Sequence, residues 1–116
     1  FFEIFLFAAE RLGFGKAQCR HVKATCNQAD VRCVADQAAL VLLAGGDSEA
    51  GWKAFQTSGI DDAVRTAHAR GAVVLGISAG AIQLGHHGYA HGTPPFQTLG
   101  LIPVLFGAHE EEEDWR

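Results

Sequence analysis

The run Gly76-Ile77-Ser78-Ala79-Gly80 has the residue types and spacing of a serine nucleophile held on a sharp turn. The apolar stretch Ala72–Ile77 leads into it, and Ile82 and Leu84 follow at spacing that suits a helix. A serine between a buried strand and a helix is lifted above the sheet edge, with its hydroxyl open to a substrate. Glycine or alanine must flank it, because neighbouring backbones pass too close for larger side chains. The turn also aims the next backbone N–H, that of Ala79, at the same point in space. The start of the helix adds positive potential there. The competing reading is a small-residue turn that only packs a strand against a helix, which a chain with 14 glycines can also make.

A second set of groups closes the other apolar run. Ala39–Ala44 ends abruptly at Gly45-Gly46-Asp47. In a parallel sheet the ends of both strands open onto one edge, where ligands bind. Two glycines there let backbone N–H groups face a substrate carbonyl, and with the Ala79 N–H they would form an oxyanion hole. One such donor is worth roughly 3 to 4 kcal/mol in the transition state. The plainer alternative is a helix-capping loop with Asp47 as the N-cap.

A serine becomes a nucleophile when a base takes its proton. The chain offers His21, His68, His86, His87, His91 and His109. His68 suits the cationic end of a helix. His86, His87 and His91 lie near Ser78 in sequence, but no carboxylate or cysteine accompanies them, so they read as solvated loop residues and not as a metal site. His109 follows an apolar segment, Leu99–Phe106, that could carry it to the same sheet edge. Spacing alone leaves the choice open. No metal ligands and no cofactor motif stand out.

The elements that must position these residues alternate between strand and helix. Residues 1–12 have helix composition, with Phe2, Phe5, Leu6 and Ala9 on one face, and Gly13-Phe14-Gly15 ends it. Residues 17–24 read as a strand. Asn27 caps a helix running to about Gln37. Ala39–Ala44 is a central strand, and Asp47 starts a helix carrying Trp52 and Phe55. The best-marked helix has Asp61 and Asp62 in its first turn, Ile60, Val64 and Ala67 on one face, and His68, Arg70 and Gly71 at its end. Residues 85–98 read as loop, and Leu99–Phe106 as a further strand. Two fully apolar strands predict a parallel sheet, of about four strands, covered on both faces.

Length and composition narrow the classes. A chain of 116 residues suits a single domain, spanning 1–116, with no linker or internal repeat. Hydrophobic content of 48% and a net charge of -4 exclude a disordered chain and disfavour a nucleic-acid-binding face. Cys19, Cys26 and Cys33 are too widely spaced for a structural zinc site, and read as reduced, mostly buried thiols of a cytoplasmic protein. The opening Phe1–Ala9 stretch lacks a basic leader, is interrupted by Glu3, and is too short to span a bilayer. With no methionine at the start, an apolar helix at one end and Glu110–Asp114 near the other, the chain is expected to be a domain cut at both ends. A cut sheet would leave an apolar edge unpaired, which invites aggregation or pairing with another chain, a homodimer being one such pairing.

From Ala39 to Arg116 the chain resembles the serine peptidase family of aspartyl dipeptidase and cyanophycinase. Leu43-Ala44-Gly45-Gly46-Asp47, Gly71–Ala81 with its Ser-Ala-Gly-Ala core, and Leu99-Gly100-Leu101-Ile102-Pro103 followed by His109 carry the likeness. Residues 1–38 fit loosely. The resemblance implies an α/β fold, a three-layer αβα sandwich with a mainly parallel sheet of the class I glutamine-amidotransferase-like (flavodoxin-like) type. It implies Ser78 as nucleophile, His109 as general base, and the N–H groups of Gly46 and Ala79 as oxyanion hole. Asp47 and Ser48 would face the substrate. The implied activity is cofactor-free hydrolysis of peptide or isopeptide bonds beside acidic residues, with a small peptide as substrate; neither a nucleic-acid nor a membrane partner is expected.

Two departures bear on specificity. Ser48 stands where cyanophycin-cleaving members carry glutamine, and Gly107-Ala108 precede His109 where an aspartate is often found. Specificity for acidic dipeptides or cyanophycin is therefore not supported. Glu110–Asp114 reads as a solvated acidic run, with a triad acid as the lesser reading. Glutamine amidotransferases place cysteine at the elbow, which disfavours glutaminase chemistry here. The rival from another class is a catalytically inactive amidotransferase-like domain that serves as a binding or structural module.

Overall fold

The computed structural model describes residues 1–89 and 94–107. Phe1 precedes helix α1 (Phe2–Arg11), which ends where Gly13 takes φ +89°. Of its apolar residues, Ala9 is buried and Phe2, Phe5 and Leu6 are half-buried, while Ile4 and Phe7 face out. The expected strand at 17–24 is absent. A short 3₁₀ turn, Lys16–Gln18, stands there, followed by irregular chain. Local bonds take up its polar groups: the Gly15 N–H donates to Gln18 Oε1, and Arg20 donates to the carbonyls of Ala17 and Cys19. Such side-chain partners compete with a ladder.

Helix α2 (Gln28–Gln37) starts at Asn27, whose side chain accepts from the Asp30 N–H at 2.9 Å. Strand β1 (Leu40–Leu43) follows. Asp47 Oδ1 accepts from the Ala50 N–H at 2.8 Å and opens α3 (Ser48–Ser58). Gly59, at φ +75°, turns the chain directly into α4 (Ile60–Ala69). Ile60, Ala63, Val64 and Ala67 form its buried stripe. Gly71, at φ +102°, leads into β2 (Val73–Gly76), and α5 (Ala79–Leu84) follows.

β1 and β2 pair in parallel, Leu40 against Val73 through Leu43 against Gly76. Among the described residues this parallel sheet has two strands, so the α/β character holds with fewer strands than the sequence suggests. Val41 and Val74 face a core of Val31, Leu43, Trp52, Ile60, Val64, Leu84 and Leu99. On the opposite face Val73 and Leu75 are about half exposed (57% and 49%), so the described helices leave much of that face open.

The tail of the chain departs from expectation. Within the supposed loop 85–98, β3 (His87–Gly88) and β4 (Phe96–Gln97) form a short antiparallel pair. Leu99–Phe106 is not a strand. Its N–H groups go to the end of α5: Leu99 to the Gln83 carbonyl, and Leu101 and Ile102 to that of Leu84. Gly100 is left-handed at φ +64°, and Pro103 has no N–H to offer a ladder. Arg65 holds this segment by donating to the Thr98 carbonyl at 3.2 Å, while it stacks over Trp52 and pairs with Asp61. The thiols are not mostly buried: Cys33 is exposed, and Cys19 and Cys26 are half-buried.

Candidate active site

Ser78 has φ 54° and ψ −118° and is the only non-glycine residue with positive φ among the described residues. Such a conformation costs a residue bearing a Cβ about 1 to 3 kcal/mol, and surrounding contacts must impose it. Those contacts are visible. The Ile77 N–H extends the β ladder by donating to the Leu43 carbonyl at 3.0 Å. Immediately beyond the serine, the Gly80 N–H donates back to the Ile77 carbonyl at 2.9 Å, and the Ala81 N–H to that of Ser78 at 2.9 Å. The chain therefore passes from strand into helix through a tight hydrogen-bonded turn at Ser78.

Both motif glycines are required by space. A Cβ on Gly76 would lie 2.5 Å from the Gly80 carbonyl oxygen. A Cβ on Gly80 would overlap the Leu43 carbonyl. The first turn of α5 thus sits directly on the C-terminal end of the sheet, as a nucleophile elbow demands. The packing reading of this turn is also correct in itself, but packing alone does not require positive φ at a serine.

The Gly45-Gly46 loop lies against the same turn. The position a Gly45 Cβ would occupy is 3.3 Å from the Ser78 Cβ and 3.4 Å from the Phe1 ring. Gly46 takes φ +148°, a conformation closed to other residues, with open space around it. Among the described residues neither the Gly46 nor the Ala79 N–H donates to a backbone carbonyl. For Ala79 this follows from its place as the first residue of a helix, whose N–H has no partner within the helix.

Asp47 is exposed, and its carboxylate is engaged as the α3 cap, so the capping reading of this loop is realised together with its place beside Ser78. Ser48 is half-buried and its hydroxyl donates to the Tyr89 carbonyl at 3.4 Å. Glu49 binds Lys53 at 2.7 Å. That hydrogen bond, then the Glu49 and Asp47 charges, hold the Lys53 ammonium above the usual lysine range. His68 lies exposed in the last turn of α4, remote in role from Ser78. His86 and His87 stack with ring centres 6.1 Å apart. No group of three or more metal-ligating side chains occurs among the described residues. His91, His109 and Glu110–Asp114 lie outside the described residues.

One residue near the site has no counterpart in the sequence reading. Gln83 is 2% exposed, five residues beyond Ser78 on α5. Its Nε2 donates to the Ser48 carbonyl at 3.4 Å, and its buried Oε1 has no hydrogen-bond partner among the described residues. A buried acceptor left unpaired costs about 1 to 3 kcal/mol. Its trace in the sequence is slight: it is the only polar side chain in Ala-Gly-Ala-Ile-Gln-Leu.

The serine turn and the glycine loop thus meet at one sheet edge, in the order the sequence prescribes. The family model described as Peptidase family S51 matches residues 5–114. The chain belongs to that family. It is the family of aspartyl dipeptidase and cyanophycinase, and the match takes in all but the first few residues of the loosely fitting N-terminal third. No curated protein and no solved structure shows significant similarity to the chain. Membership in peptidase family S51 supports a peptidase, and so a hydrolase. Among the described residues no helix is long and apolar enough to cross a membrane.

Proposed function

We propose that this S51-family chain is a serine-type peptidase that cleaves peptide or isopeptide bonds in small peptides through an acyl-enzyme. The observation that carries the reading is the backbone of Ser78, strained at φ 54° within a glycine-flanked turn. In this reading Ser78 Oγ attacks the substrate carbonyl carbon while His109 takes the hydroxyl proton. The Gly46 and Ala79 N–H groups stabilise the oxyanion as charge develops on it. Collapse of the tetrahedral intermediate breaks the C–N bond, and His109 returns the proton to the departing amine. Water then attacks the ester by the same route and frees the acid, with His109 again as base. No step needs a cofactor. Asp47 and Ser48 line the approach from the α3 side.

The finer architecture belongs to the same proposal. The open face bearing Val73, Leu75 and Ile77 suits a second helical layer. That layer would complete a three-layer αβα sandwich of the class I glutamine-amidotransferase-like type across a single domain. Cytoplasmic residence and homodimer formation fit this reading as further expectations.

The test is covalent labelling with a fluorophosphonate, mapped by mass spectrometry. An activated Ser78 becomes phosphonylated, and Ser78→Ala lowers peptide turnover by about 10⁴ to 10⁶ without unfolding the protein. Loss of labelling in His109→Ala would support the base assignment. Near-normal hydrolysis by Ser78→Ala would overturn the proposal. A folded wild-type protein with an unreactive Ser78 would point instead to a binding module.

A further inference from the structure

We infer that Gln83 is a positioning residue that holds the Gly45-Gly46-Asp47 loop in register with the serine turn; this rests on the peptidase reading for its catalytic consequence. In that reading the two oxyanion donors come from separate elements. The Ala79 N–H belongs to α5, and the Gly46 N–H belongs to the loop that opens α3. Gly80 packs against the Leu43 carbonyl, the position a Gly45 Cβ would take is 3.3 Å from the Ser78 Cβ, and α3 and α5 pack directly on each other. Such packing is not directional, whereas a hydrogen bond between the two elements is.

Gln83 supplies that bond. Its Nε2 reaches the carbonyl of Ser48, the first residue of α3, at 3.4 Å. The same nitrogen lies 3.0 Å from the position a Gly51 Cβ would take. Glycine at position 51 therefore leaves the room in which the amide lies against the first turn of α3. The amide orientation is fixed by chemistry: turned over, Oε1 would face the Ser48 carbonyl, acceptor against acceptor.

The cost of this arrangement is the argument for its role. A leucine or methionine of similar size would fill the site with no unpaired buried acceptor, and on packing grounds alone would suit the position better. What either would lack is the donor to Ser48. Local departures from good packing and pairing concentrate where function demands them. The donor's target is the start of the helix that follows the oxyanion loop.

The experiment replaces the amide by an isostere, Gln83→Met, in the full chain, with Gln83→Leu as a second variant. Three readouts separate the roles. The thermal midpoint is expected to stay unchanged or rise, because the unpaired acceptor is removed. Amide hydrogen exchange across residues 44–51 is expected to quicken, while exchange in β2 stays as in the wild type. Fluorophosphonate labelling of Ser78 and kcat are expected to fall by about 10- to 100-fold with KM little changed, the size of effect a small misplacement of catalytic groups produces.

A purely structural glutamine would lower the midpoint and leave labelling of the folded fraction intact, and that result would overturn the inference. Equal labelling of wild type and Gln83→Met, with unchanged exchange at 44–51, would overturn it too while leaving the peptidase reading standing. If wild-type Ser78 does not label but exchange at 44–51 still quickens, the positioning role holds and the peptidase reading is the one that fails.

Discussion

The strain at Ser78 can be measured without any substrate, by comparing Ser78→Gly with Ser78→Ala. Both variants lose the hydroxyl, so whatever that group binds cancels in the comparison. Alanine keeps a Cβ and therefore keeps the penalty of φ 54°, ψ −118°, about 1 to 3 kcal/mol. Glycine adopts that backbone without the penalty. It gives back about 0.4 to 1 kcal/mol, because its unfolded chain has more freedom to lose. It also gives up the van der Waals contacts of the Ser78 Cβ, a minor loss for one carbon atom. The balance favours glycine by about 1 kcal/mol, which for a chain of this size raises the melting midpoint by roughly 3 to 6 °C. The assay is thermal and urea denaturation of both variants, with circular dichroism to show that each is folded. Neither should hydrolyse peptides. If Ser78→Gly melts at or below Ser78→Ala, the turn is not strained. The main structural support for a nucleophile at this position then disappears.

Gly80→Ala should be the most damaging small substitution in the motif. Its methyl would overlap the Leu43 carbonyl, and a backbone shift to relieve the clash is expected to cost about 3 kcal/mol, read as a drop in urea midpoint at constant m-value. At the edge of the site, Glu49→Gln should lower the Lys53 pKa toward the ordinary lysine value, followed by NMR titration of the lysine side chain. The raised pKa means that the Lys53–Glu49 pair favours the fold below the unfolded lysine value and is lost as pH rises through the folded one. Stability near neutral pH should therefore show no inflection from this pair, and an inflection there that Glu49→Gln abolishes would contradict the assignment.

What could be read from the sequence, and what could not, follows from the range of the interactions involved. Asn27 and Asp47 bond to N–H groups three residues away, so the starts of α2 and α3 are written locally. The stripe of Ile60, Val64 and Ala67 fixes the buried face of α4 in the same way. The strand-turn-helix around Ser78 is legible because backbone sterics dictate both its glycines and its order. The segment 99–106 misled because its apolar composition answers to a different partner: its N–H groups close the end of α5, and Gly100 bends it away from any ladder. The stretch 17–24 misled because Arg20 and Gln18 bind their own backbone.

Gln83 was invisible for a stronger reason. Read locally, a glutamine in a short apolar helix is a solvent-facing residue, and its burial contradicts that pattern. Its partner, the Ser48 carbonyl, lies 35 residues earlier in the chain and belongs to the backbone, which has no identity in the sequence. The room it occupies depends on Gly51, a glycine in the first turn of α3 that local propensity would count as a defect costing up to about 1 kcal/mol. Two residues unfavourable by local rules meet in space beside the loop that follows β1. Local rules would replace both Gln83 and Gly51, yet the two lie against each other at the start of α3, where the amide finds its backbone partner.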